Sequence, residues 1–261
     1  MPAKYAHYRL GVEMLKAMPP EARRTVNRHR SLYDVGLHGP DLFFYYNPAM
    51  HTRIGDLGRK FHQQSGREFF TRVCKRHRLE PSESARAYLY GLLAHYSLDL
   101  SCHPLILREC ALGKPGHVEI ETEFDRYLLV MDGKTPPQYF DCSRHMSLTA
   151  GECAVAAGFY PGATPRAIRQ CVGNMAAVTR LLAAPEGLPR QVLELGMDTV
   201  ARSFREYRMD AEPNPACVWL NEKLEERYRR AGVLYPVLLR QITANLTCSV
   251  PLGREFDPIF G

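Results

Sequence analysis

An all-α fold, one multi-helix bundle, is what this sequence predicts. Three observations predict it. Apolar residues recur at intervals of three and four along most of the 261 residues, which is the period of a helix. No stretch shows the alternation of apolar and polar residues that marks a half-buried strand. The breaks between periodic segments fall on proline and glycine, which end helices or force turns.

The first element is an amphipathic helix at 5–18, with His7, Leu10, Met14, Leu15 and Met18 near one face and Pro19-Pro20 as its stop. His7 therefore points inward. Residues 21–35 carry Arg23, Arg24, Arg28, His29 and Arg30; a basic run of this kind reads first as a solvated helix face. In V-G-L-H-G-P-D-L-F-F-Y-Y-N-P (35–48), Gly36, Gly39 and Pro40 force a turn from which Asp41 emerges before four aromatics. An Asp after Gly-Pro is a common helix N-cap, and beside a metal cluster it is equally a ligand or a general base.

Residues 49–64 supply His51 and His62. Residues 66–78 read as a helix with Phe69, Phe70 and Val73 inward and His77 outward among basic residues. Ser82 is positioned as the N-cap of a long helix that Pro104 should end. Gly91 inside it costs about 1 kcal/mol relative to Ala, which points to close approach of another backbone. A further helix runs from His117 to about residue 132, and Asp132-Gly133-Lys134-Thr135-Pro136-Pro137 breaks it. Helices are then expected at about 147–158, 165–184, 188–207, 216–231 and 233–246, with 208–216 and the C-terminal tail as connectors.

Bulk composition narrows the class. With 45% hydrophobic and 24% charged residues, the chain reads as a globular protein able to bury a substantial core. A net charge of +6 permits an anionic substrate or surface without requiring nucleic acid. Residues 1–20 lack a continuous apolar stretch, and no run approaches membrane-spanning length, so a cytoplasmic protein is expected. Eight scattered cysteines without a C-x-x-C pair read as reduced thiols serving as small hydrophobes.

The residues that carry chemistry lie between His95 and Glu121. His95, Asp99 and His103 recur at intervals of four, and His117 and Glu121 repeat the interval. Residues four apart stack on one helical face. An apolar stripe of Ala85, Tyr88 and Leu92 leads into His95 and Asp99. Polar groups on a buried face need partners, because an unpaired amide or hydroxyl costs a few kcal/mol and a charge costs more. One such histidine is an ordinary core residue; five candidates on adjacent segments point to a cation.

There is no P-loop, no G-x-S-x-G, no G-x-G-x-x-G, no H-E-x-x-H and no adjacent His-Asp pair. What H-Y-S-L-D-L-S-C-H-P (95–104) with H-V-E-I-E-T-E-F-D (117–125) resembles is the zinc-dependent phospholipase C family. A-H-Y-R-L-G (6–11), G-P-D-L-F-F-Y-Y (39–46) and L-G-R-K-F-H (57–62) follow its pattern in the same order. The resemblance covers about residues 4–130 and implies the single-domain helical bundle shared with P1-type nucleases. It implies two or three zinc ions. His95 and Asp99 would bind the first with a ligand from 51–62, His62 matching better than His51. Asp99 would bridge to an ion that also takes His7. His103, His117 and Glu121 would hold another, and Asp41 would be a ligand or the base that orients the attacking water.

Secreted relatives use their processed N-terminal amine as a ligand. Here Met1 lies six residues before His7, so either another group or water would complete that site or it would be empty. No residues matching a choline grip are identifiable. Three readings follow. The first is a phosphodiesterase acting on a phospholipid at a membrane surface or on a soluble phosphate ester. The second is a nuclease or nucleotidase on the same site, and the third a non-catalytic, metal-stabilised interaction module.

Overall fold

The computed structural model describes residues 4–47, 50–113, 115–183 and 206–260. Its helices are α1 (Lys4–Ala17), α2 (Pro20–Arg28), α3 (Arg30–Gly36), α4 (Arg53–His62), α5 (Gly66–Leu79), α6 (Glu83–Cys110), α7 (His117–Met131), α8 (Ala150–Ala157), α9 (Pro165–Leu182) and α10 (Asn221–Cys248). Short 3₁₀ turns lie between them, the longest at Gly39–Tyr45. Among the described residues the only β pairing is an isolated bridge between Ser65 and Ile259. The all-α expectation holds.

Helix α6 is the axis of the fold. It starts where the sequence places it, with the Ser82 hydroxyl accepting from Ala85 N–H at 3.2 Å. Almost all of its residues from Ala87 to Asp99 are buried, because it packs against α3, α10, α1 and α2 on different sides. Gly91 does mark a close backbone approach: a Cβ there would lie 2.1 Å from the Tyr33 carbonyl oxygen. A Cβ on Gly36 would lie 2.6 Å from the Tyr88 oxygen. The two glycines let α3 and α6 touch backbone to backbone.

Two sequence expectations about helix ends are corrected. Pro104 does not end α6, which continues to Cys110. Proline withholds one hydrogen bond from the carbonyl four residues back, but Pro104 is exposed and the face beyond it (Leu105, Ile106) is buried, so packing outweighs that loss. Likewise 216–231 and 233–246 are not two helices. α10 runs unbroken through Gly232 and Pro236, because Leu224, Tyr228, Ala231, Tyr235, Leu238, Leu239 and Ile242 form one continuous buried stripe.

The C-terminal tail is also more than a connector. Phe256 and Phe260 are fully buried, with Phe260 stacked on Phe70 at 5.6 Å and within 6.4 Å of the His95 ring. Gly66 N–H donates to the Pro258 carbonyl at 2.8 Å. The tail thus closes the core behind the candidate site. His77, expected outside, is half-buried. Of the helix expected at 188–207, residues 188–205 lie outside the described residues. All eight cysteines are unbridged, five of them buried. No helix among the described residues is long and apolar enough to cross a membrane.

Candidate metal centre

Four elements deliver the donors. α1 buries His7 on the face that also buries Leu10 and Met14. α6 supplies His95, Asp99 and His103 from successive turns, all buried. α7 supplies His117 near the surface and Glu121 inside. The 3₁₀ turn supplies Asp41, and the last residue of α4 is His62. Gly39 makes the turn possible. Its φ of 48° lies in the left-handed region, and a Cβ there would stand 2.3 Å from the His95 ring. Asp41 lies in the first turn of this short helix and does not cap it.

These side chains converge. Three sets each bring their donor atoms within 4.8 Å of one another: His7, His95 and Asp99; Asp41, His62 and His95; His103, His117 and Glu121. His95 belongs to two sets, and Asp99 Oδ1 also lies 3.5 Å from His103 Nε2. A cavity of about 10 Å³ lies among His7, Asp99, His103 and Glu121, room for a single small occupant. His51 is not part of this arrangement; its ring is 74% exposed and pairs with Asp56 at 2.9 Å. Of the two histidines in 51–62, only His62 reaches the site.

Hydrogen bonds fix how two rings face. His62 Nδ1 lies 2.7 Å from the Gly58 carbonyl, and His95 Nδ1 lies 3.2 Å from the Leu37 carbonyl. A carbonyl can only accept, so each Nδ1 carries the proton and each Nε2 is the atom left to bind. Those Nε2 atoms point at carboxylates: His62 to Asp41 at 3.0 Å and His95 to Asp99 at 2.9 Å. His7 Nε2 lies 3.3 Å from Asp99, and His117 Nε2 lies 3.2 Å from Glu121. His95 Nε2 and Asp99 Oδ2 are both buried, and the two groups pair with each other electrostatically. Nitrogen and carboxylate donors left facing each other in a buried site are what a zinc ion at about 2.0–2.2 Å from each would satisfy. The residues present fit the metal.

The electrostatics agree. Burial opposes ionisation of Asp99, but His95 and His103 outweigh it and hold its pKa well below the usual carboxylate range. Glu121 is held well below its usual value against burial, chiefly by His117. Asp41 is lowered against burial by its contact with His62. His95 and His103 are raised against burial, each by Asp99 and the second also by Glu121. His7 goes the other way, lowered by burial and by neighbouring His95. The donor set is thus poised as carboxylates beside imidazoles.

Two buried groups were not singled out in the sequence. His38 Nε2 lies 2.8 Å from His145 Nε2. Burial and this pairing push His38 well below its ordinary pKa, and burial and Arg30 push His145 down to about 4. One neutral ring donates to the other, which joins the donor-bearing half to the second half of the chain. The other group is Asp125, which continues the 117–121 interval by four; that interval was the available signal. Of the basic residues at 23–30 and 74–78, Arg28 pairs with Glu83, Arg30 with Asp34, Arg76 with the Gly158 carbonyl and Arg78 with Asn245, while Arg23, Arg24 and Lys75 are exposed. An apolar groove lined by Val73, Ala85, Leu89 and Phe159 shares no residue with the donors.

The family model described as zinc-dependent phospholipase C matches residues 6–155. That span contains every donor named above. No curated protein and no solved structure matches the chain.

Proposed function

The chain belongs to the zinc-dependent phospholipase C family, and on that premise we propose that it hydrolyses phosphodiesters with up to three zinc ions, phospholipids being the substrate class. The observation that carries this reading is the convergence of histidine nitrogens on Asp99, with His95, His7 and His103 at 2.9, 3.3 and 3.5 Å. In the proposal, His62, His95 and Asp99 hold one ion, and Asp41 stands beside it as the base. His103, His117 and Glu121 hold a second, and His7 with Asp99 holds a third.

Zinc would supply Lewis acidity, polarising phosphoryl oxygens and making water easier to deprotonate near neutral pH. The protein's part is positional. Asp41, kept ionised beside His62, orients the attacking water and takes its proton. The water oxygen bonds to phosphorus as the bond to the leaving alcohol breaks. The leaving oxygen takes a proton from solvent and departs as the alcohol, as diacylglycerol would from a phospholipid; Asp41 returns the proton it took to solvent, and a phosphomonoester remains. Gly58 and Leu37 carbonyls hold the His62 and His95 rings in orientation, so little reorganisation is needed at the reacting centre.

The ring of His117 is 31% exposed and that of His62 13%, which gives the cluster an open side. An open side suits a catalytic centre better than the closed four-ligand sites of a metal-stabilised module. Part of the basic runs is engaged in ion pairs and carbonyl contacts, and no observation specifically favours a nuclease. The test is elemental analysis followed by a hydrolysis screen against phospholipid vesicles and single-stranded nucleic acid. Two or three zincs per chain with release of diacylglycerol support the reading. Zinc without hydrolysis of any phosphodiester would remove it.

A further inference from the structure

α7 carries three acidic or imidazole groups one turn apart: His117, Glu121 and Asp125. The first two face the donor cluster. The third, 4% exposed, turns to the start of α1 instead. Its Oδ2 accepts the Tyr5 N–H at 3.0 Å and its Oδ1 accepts the Ala6 N–H at 2.8 Å. The first-turn amides of a helix have no partner within the helix and carry partial positive charge. One buried carboxylate satisfies two of them.

His7 is the next residue after Ala6, and its ring lacks the orienting bond that His62 and His95 have. Its Nδ1 is buried without a hydrogen-bond partner. The ring stacks on His95 with centroids 4.5 Å apart, a contact that permits sliding in its plane. The direction of Nε2 toward Asp99 therefore depends on where the backbone of α1 sits. We infer that Asp125 is the positioning residue for His7, setting the start of α1 against α7 so that Nε2 faces Asp99 and the small cavity between them. Asp125 does for this histidine, through the backbone, what a carbonyl does directly for the other two. The inference rests on the metal reading above.

α1 and α7 are tied at a second point. Asp132 accepts from the Tyr5 hydroxyl at 2.6 Å and from Arg9 Nε at 2.7 Å. Asp125→Asn should therefore fold, and Asp132→Asn is the control for loss of a tie made through side chains of α1 rather than through its first-turn amides. The experiment is zinc competition with a chelator in the full chain, for the wild type, Asp125→Asn, His7→Ala, the double variant and Asp132→Asn.

Asp125→Asn should weaken one ion by roughly 10–100-fold, the usual effect of an outer-shell change, and leave the others in place. It should have no added effect once His7 is gone, and Asp132→Asn should leave every ion at wild-type affinity. Unchanged affinities in Asp125→Asn, or its full effect added to that of His7→Ala, would overturn the assignment. If Asp125→Asn does not fold, hydrogen exchange in the wild type decides. Zinc should slow exchange at the Tyr5 and Ala6 amides by linkage, and rates indifferent to zinc overturn it. A wild type that binds no zinc would sink the metal reading itself, whereas normal zinc binding without these effects would sink only the role of Asp125.

Discussion

Nε2 of His95 and Oδ2 of Asp99 stand 2.9 Å apart, one helical turn from each other. Both atoms are buried, and the ring's other nitrogen is committed to the Leu37 carbonyl. In the proposed reading, a cation held between the ring and the carboxylate would take the place of their direct contact. Replacing Asp99 by Asn should lower zinc affinity by more than the ~10–100-fold typical of an outer-shell change, because Asp99 also faces His7 and His103. Elemental analysis after dialysis checks this; full retention of zinc would rule Asp99 out as a ligand.

Asp41→Asn separates binding from turnover. The variant keeps an oxygen toward the cluster but cannot take a proton, so kcat should fall by roughly 10²–10⁴-fold, the range for loss of a general base. Ions at the other donor sets should remain. Steady-state kinetics on vesicles, paired with a zinc count, would show whether hydrolysis persists; wild-type turnover would exclude Asp41 from the mechanism.

Chelation should destabilise the fold as well as silence the site. A ligand present at a hundred times its Kd stabilises by about 2.7 kcal/mol, which in a chain of this size corresponds to roughly 5–10 °C in melting temperature. Melting curves with and without chelator measure it, and re-addition of zinc should restore the difference.

The pH dependence should reverse with metal. Without zinc, His95 and His103 have folded pKa values above the usual 6.5. Their stabilisation is present below that value and is lost as pH rises through the raised one. Asp125, lifted by burial to about 7, has the same sign. Asp41, Asp99 and Glu121 are depressed, so their stabilisation is present above about pH 4–5 and is lost on further acidification. Metal-free protein should thus lose the His95 and His103 contribution as pH rises above about 6.5. Zinc-loaded protein should gain over the same rise, because deprotonated imidazoles bind the metal better. Denaturant midpoints across pH, with and without zinc, would show the crossing or its absence.

Gly91→Ala tests the axis of the fold. The added methyl would lie 2.1 Å from the Tyr33 carbonyl oxygen, a backbone atom that cannot swing aside. Overpacking of this kind costs about 1–3 kcal/mol or more, although Ala is the better helix former by about 1 kcal/mol. A denaturant midpoint that falls supports backbone contact between α3 and α6, and one that rises contradicts it.

By itself the sequence determined what depends on local geometry. The helical period, the Ser82 cap and the intervals of four in His95, Asp99 and His103 and again in His117 and Glu121 follow from local geometry, with 3.6 residues per turn, which neighbours along the chain enforce. The same local rules misplaced the end of α6 at Pro104 and divided α10 in two, because a buried stripe on both sides of a proline outweighs one lost hydrogen bond. Tertiary structure alone decided which distant groups meet. It brought His62 into the cluster and left His51 outside, and it set His38 against His145. It also placed Phe260 behind His95 and turned Asp125 to the first amides of α1. Each of these depends on packing between segments far apart in sequence, and periodicity along one segment carries no information about which face of another it will touch.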